Sequence, residues 1–292
     1  MRRPYARFLA MAALSLPLTT AAPLGGHGLR DASPGVTFAR LTDSAPAATA
    51  PPILPLPGGR SPSEQKAHSF YFTRAMYSGW GGGWGGGGFG GGSWSVDYPV
   101  ADRWIVSVLG RLTGVDVFPL ENPVRLDDPD LRRFPFLYAL EVGGMNLRKE
   151  EVEGLRDYLL AGGFLVIDDF WGESEWYTFE REIRRILPEY EIVDIGLDHP
   201  IFSTFYEIDE IIQVPNVGQG IAGGPTHENG ETGRIPRVRG IFDEQGRLMV
   251  IINWNTDLGD AWEWAEDPAY PLQYSTYAYQ MAANFIVYAM SR

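Results

Sequence analysis

The chain has 292 residues, a formal net charge of −13 and no cysteine. The acidic balance argues against nucleic acid and anionic membrane surfaces as partners. The absence of cysteine excludes disulfides, thiolate metal sites and thiol nucleophiles together.

Arg2, Arg3 and Arg7 form a positive amino-terminal region, and Phe8–Leu18 is an apolar run too short to span a bilayer. Thr20-Ala21-Ala22 supplies small residues for cleavage. Residues 1–22 are therefore expected to be a secretory signal, placing the mature protein in the periplasm or outside the cell. The Arg pair hints at twin-arginine export, to which Pro4-Tyr5-Ala6 is a poor fit. Residues 23–66 are rich in Pro, Ala, Gly and Ser and read as a disordered tether. Residues 67–292 are expected to form one folded domain with no transmembrane segment.

Within that region, residues 69–74 read as a first strand. Residues 79–92 follow as a glycine-rich loop carrying Trp80, Trp84 and Phe89. Asp97 is a candidate cap for a helix to about residue 112, and 115–120 reads as a short second strand. The unbroken apolar run 136–142 reads as a strand buried on both faces. Asn146 then caps a helix whose apolar face is Leu147, Val152, Leu155, Tyr158 and Leu159, and Gly162-Gly163 ends it. Residues 164–167 return as a strand, and 174–187 as a helix. Further strands are expected at 190–195 and 248–254, and a final helix at 275–290. Residues 196–240 read as irregular and 255–267 as an acidic, aromatic loop. This alternation predicts an α/β three-layer sandwich with a mostly parallel central sheet.

Arg74, the DYP of 97–99, LRKEEVEGLRDYLLAGGFLVIDDFWG at 147–172, DHPIF at 198–202 and NWNTDLGDAWEW at 253–264 together resemble a bacterial family called domain of unknown function 4159. The resemblance spans roughly residues 67–291 and implies a fold without an assigned activity. More broadly, the helix, Gly-Gly and strand of 147–167 resemble flavodoxin-like and class I glutamine amidotransferase-like scaffolds. Those amidotransferases use a Cys nucleophile, so their chemistry is ruled out here. The family's presence in membrane-associated proteins implies a binding or assembly role.

Asp168 and Asp169 are the first candidates for chemistry, because ligands of open α/β sheets bind at the carboxyl ends of the strands. They suit a general base or a hard-cation ligand, and equally a helix cap. Successive strand residues face opposite ways, so both serve one site only if the chain turns between them. His199 is the candidate catalytic histidine, with a rigid Asp-His-Pro turn as the alternative. Asn253, Asn255, Asp257 and Trp262 mix aromatic and polar groups suited to sugar recognition, or form a solvated loop packed on the sheet. Trp171 and Arg74 complete the ligand-binding candidates, with an ion pair as the default for Arg74. No cofactor motif occurs: the glycine tract lacks the Lys of a phosphate loop, calcium-loop spacing is absent, and the ligands for zinc are too few. No metal ligands are assigned. The expected function is binding of a small molecule, glycan or envelope protein; the alternative is a hydrolase, with carbohydrate as a candidate substrate, that uses Asp168 or Asp169 with His199.

Overall fold

In the computed structural model, residues 68–79 and 93–291 are described. The signal, the tether and nearly all of the glycine-rich loop lie outside them. Seven strands are described: β1 (Thr73–Met76), β2 (Asn122–Arg125), β3 (Phe136–Leu140), β4 (Phe164–Asp168), β5 (Ile192–Asp194), β6 (Arg237–Phe242) and β7 (Leu248–Trp254). They form one sheet in the order β2-β1-β3-β4-β7-β6-β5. The first five in that order run parallel; β6 is antiparallel to both β7 and β5. The parallel part has the doubly wound order in which the chain switches direction between β1 and β3.

Helices cover both faces, as expected for a three-layer α/β sandwich. Phe136, Tyr138 and Leu140 of β3 and Phe164 and Val166 of β4 face α1 (Val100–Thr113) and α6 (Leu272–Met290). The alternate residues Leu137, Ala139, Leu165 and Ile167 face α2 (Lys149–Leu160) and α3 (Gly172–Ile186). A strand with apolar groups on both faces must be covered twice, which is why these runs lack polar alternation. Two short helices, α4 (Val217–Ala222) and α5 (Leu258–Glu263), interrupt the segments read as irregular. No helix among the described residues is long and apolar enough to cross a membrane.

Several local expectations shift. The second strand lies at 122–125; the 115–120 segment contributes a single bridge between Val117 and Phe70. Arg148, not Asn146, is the residue that precedes α2, and its backbone amide donates to Glu151 Oε2 at 2.7 Å. Asp97 does not cap α1 with its side chain.

Arg74 on β1 is fully buried, and so is its partner Asp102 on α1. Its Nε donates to Asp102 Oδ1 at 2.8 Å and Oδ2 at 3.1 Å, and Nη2 adds a second link to Oδ1. Nη1 donates to the carbonyls of Trp94 at 3.2 Å and Val96 at 3.0 Å. Burial works against the guanidinium's charge, and Asp102 outweighs it. Arg74 is thus consumed by structure, and it holds the turn immediately before Asp97. Asp102→Ala is expected to lower stability by about 3–5 kcal/mol, because it strands a buried charge; urea denaturation of the full-length protein measures this.

Candidate functional site

The carboxyl ends of β3, β4 and β7 converge on a group of acids. Glu141 follows β3, Asp169 follows Asp168 at the end of β4, and Asp257 caps α5 just beyond β7. The turn needed to bring both members of the Asp168-Asp169 pair to one site is present: Asp169 has a left-handed backbone, φ 47°. Glu141 and Asn255 share that conformation, at φ 54° and 62°. Left-handed non-glycine residues are uncommon and concentrate where function holds them. The Glu141 amide donates to the Asp169 carbonyl and the Asn255 amide to the Phe170 carbonyl, so the three strand exits are tied together.

Asp168 is fully buried. Its Oδ2 accepts from Tyr138 Oη at 2.8 Å and from the amides of Leu258 at 3.0 Å and Gly259 at 3.2 Å. Its Oδ1 is buried with no hydrogen-bond partner among the described residues, and the same holds for Asp97 Oδ2. Asp169 accepts from Trp171 Nε1 at 3.0 Å. Asp257 Oδ1 accepts from the Asp260 amide at 2.8 Å. Carboxylate oxygens of Asp97, Asp169 and Asp257 lie within 4.8 Å of one another, and so do those of Asp97, Asp260 and Glu263. Hard cations are held by such oxygen sets. The sequence reading offers Asp169 as a hard-cation ligand but does not bring Asp97, Asp257, Asp260 or Glu263 together with it.

Burial is the main cause of high proton affinity throughout the group. It pushes Asp168 up to about 7 against the opposing bonds from Tyr138 and the backbone amides. Glu141 rises to about 7 through burial and then the Glu175 charge, and Glu263 to about 7 through burial and then Asp260. Asp97, Asp169 and Asp257 are raised well above the ordinary range by burial, with their acidic neighbours adding to it.

The other sequence candidates divide clearly. Trp171 stands beside Asp169 and Asp257 belongs to the acid group. Asn253 and Asn255 serve the backbone. Asn253 Nδ2 donates to the Ile167 carbonyl at 2.9 Å, while Asn255 accepts from the Gly172 amide at 2.8 Å and donates to the carbonyls of Thr232 and Ile235. Trp262 is buried in the core against Tyr138 and Phe72. His199 is elsewhere. Its ring packs 5.5 Å from Phe242 and 6.4 Å from Tyr288, centroid to centroid. Phe242 pairs with Leu248, the first residue of β7, and Tyr288 packs on Phe164, the first residue of β4. His199 therefore sits at the amino edge of the parallel strands, and the five residues of β4, at roughly 3.3 Å each, separate it from Asp168. Its Nδ1 accepts from the Ile201 amide at 3.2 Å.

Sequence reasoning passed over Asp97 and Glu141 as site residues, and took Asp260 and Glu263 only as part of the acidic, aromatic loop. One signal was available for Glu141: it follows β3 as Asp169 follows β4. A separate groove of about 490 Å³ is lined by Trp176, Tyr177, Ile235, Arg237, Arg239 and Trp254. The Arg239 guanidinium already lies over the Trp176 ring at 4.5 Å, so that aromatic face is covered.

The raised carboxyls set a pH dependence. An unfolded chain releases these protons near 3.8 for Asp and 4.5 for Glu, whereas the folded chain holds them to about 7. The folded state binds more protons across that window, so stability falls as pH rises from about 4.5 to about 7. With a chelator present, the melting temperature of the full-length protein is expected to decline across this interval. Asp168→Asn, which keeps an acceptor for the two amides, is expected to flatten the decline.

The sequence model of a family described as domain of unknown function (DUF4159) matches residues 86–290. No curated protein matches the chain. The match covers the strand exits and every acid of the group, and the chain belongs to the DUF4159 family.

Proposed function

We propose that this domain is a binding module of the bacterial cell envelope whose ligand at the carboxyl edge is a hard divalent cation, calcium in preference to magnesium. The observation that carries the reading is the approach of Asp97, Asp169 and Asp257 oxygens to within 4.8 Å of one another, with Asp169 and Asp257 buried and Asp97 half-buried. Two unit charges at that separation repel by about 3.5 kcal/mol at an effective dielectric constant of about 20. Three such pairs amount to roughly 10 kcal/mol, comparable to the whole stability of a domain. Full ionisation therefore requires a cation, and a divalent ion reverses the sign of the interaction.

Calcium suits the donor set. It accepts about six to eight oxygens at about 2.3–2.6 Å with flexible geometry, whereas magnesium demands a tight octahedron and keeps its waters. The export signal read at residues 1–22 supports an extracytoplasmic setting. Hydrolysis through an Asp-His pair loses its support, because His199 stands at the opposite edge of the sheet from Asp168.

Calcium at one hundred times its dissociation constant adds about 2.7 kcal/mol to stability. At neutral pH this is expected to raise the melting temperature of the full-length protein by about 5–10 °C, and Asp257→Asn is expected to abolish the rise. No thermal shift and no binding heat with calcium, magnesium or manganese would sink the reading. Gly259→Ala offers an independent check, since its Cβ would fall 2.4 Å from Asp97 Oδ2. It removes no ligand, yet it is expected to weaken calcium binding at least tenfold by titration calorimetry, a change of about 1.4 kcal/mol.

A further inference from the structure

We propose that the acid group holds two divalent cations rather than one, with Asp97 as the carboxylate that bridges them. The inference rests on the cation reading above and deepens it. The close oxygens form two triads, Asp97 with Asp169 and Asp257, and Asp97 with Asp260 and Glu263, and Asp97 is common to both. A bridging carboxylate is the group expected to belong to two ligand sets at once.

Helix α5 explains the division. Asp257, Asp260 and Glu263 recur every three residues along it. A rise of about 1.5 Å per residue sets them about 4.5 Å apart along the axis, close to the roughly 4 Å between the ions of two-metal sites. Asp257 at the start of α5 turns to the triad completed by Asp169 on the β4 exit. Asp260 and Glu263, farther along, form the other triad. Asp97 lies alongside the first turn, where only a glycine lets the α5 backbone approach its Oδ2.

Two unpartnered oxygens point independently to missing ligands. Asp97 Oδ2 is buried without a hydrogen-bond partner among the described residues, although its carboxylate adjoins both triads. Asp168, fully buried, holds the Leu258 and Gly259 amides beneath the same turn of α5 with one oxygen, and its other oxygen has no hydrogen-bond partner among the described residues. Charge counting favours the second ion. The two triads comprise five carboxylates; one divalent ion would leave three negative charges in a largely buried space, and two ions leave one. The only guanidinium described close by, on Arg74, is committed to Asp102.

Equilibrium dialysis of the full-length protein against calcium, and electron paramagnetic resonance with manganese as the probe, test the proposal. The expected results are two calcium ions per chain and the spectrum of a spin-coupled manganese pair. Glu263→Gln is expected to reduce the stoichiometry to one and restore the spectrum of isolated manganese. Asp169→Asn is expected to leave the other single ion, and Asp97→Asn to weaken both by at least tenfold. Melting in chelator confirms that each variant folds; Glu263→Gln suffices if Asp97→Asn does not. One ion in the wild type, unaffected by Glu263→Gln, would overturn the bridged pair and leave the single-cation reading standing. Two uncoupled ions indifferent to Asp97→Asn would also overturn it. No ion at all would remove both readings.

Discussion

The buried pair between Arg74 and Asp102 is the interaction on which the site's geometry depends. It joins the first parallel strand to the helix that covers it. Its remaining donors hold the carbonyls of Trp94 and Val96, so the residue that follows, Asp97, is delivered to the acid group from outside the sheet. A lysine could not substitute, because a single ammonium lacks the planar fork that reaches a carboxylate and two carbonyls together. The one arginine described near the carboxylates is therefore spent chiefly on Asp102 and on placing Asp97. That choice leaves the group dependent on protons or cations for its charge balance.

The strand exits carry the second constraint. Glu141, Asp169 and Asn255 each adopt a left-handed backbone directly after a central strand. Each such residue costs on the order of 1 kcal/mol or more. The three turns are held by hydrogen bonds from one exit to the next, so the cost is carried jointly by β3, β4 and β7. The outcome is a cluster of mostly buried acidic side chains at the carboxyl ends of the strands, with the Asn255 side chain stapling its neighbours rather than reaching a ligand.

Much of the fold was legible in the sequence. LMVIINW coincides with β7 at Leu248–Trp254, and the strand-helix-strand unit around α2 lies where its apolar periodicity places it. Strand β6 was not legible: RVRGIF has two arginines and a glycine in six residues. Its pairing explains the composition. Arg239 stacks on Trp176, and a Cβ on Gly240 would strike Ile195 and Leu248. The site was half legible. Strand-end logic finds Asp168 and Asp169, but Asp97 arrives through a tertiary contact of Arg74, and nothing local reports that. His199 and the two asparagines show a related limit: residue type tells that a side chain can bind, not that the fold's own backbone already engages it.

The order of the sheet bears on how the domain meets other proteins. Its outer strands are β2, four residues that include Pro123, and β5, three residues long. A proline offers no amide to a neighbouring strand, and a three-residue edge gives an incoming chain little to pair with. Both margins are thus poor templates for strand addition or for edge-to-edge stacking into fibres. A protein that docks on this domain is directed to its helical layers or to the loops at the strand ends, and contact at the latter would bring it to the acids.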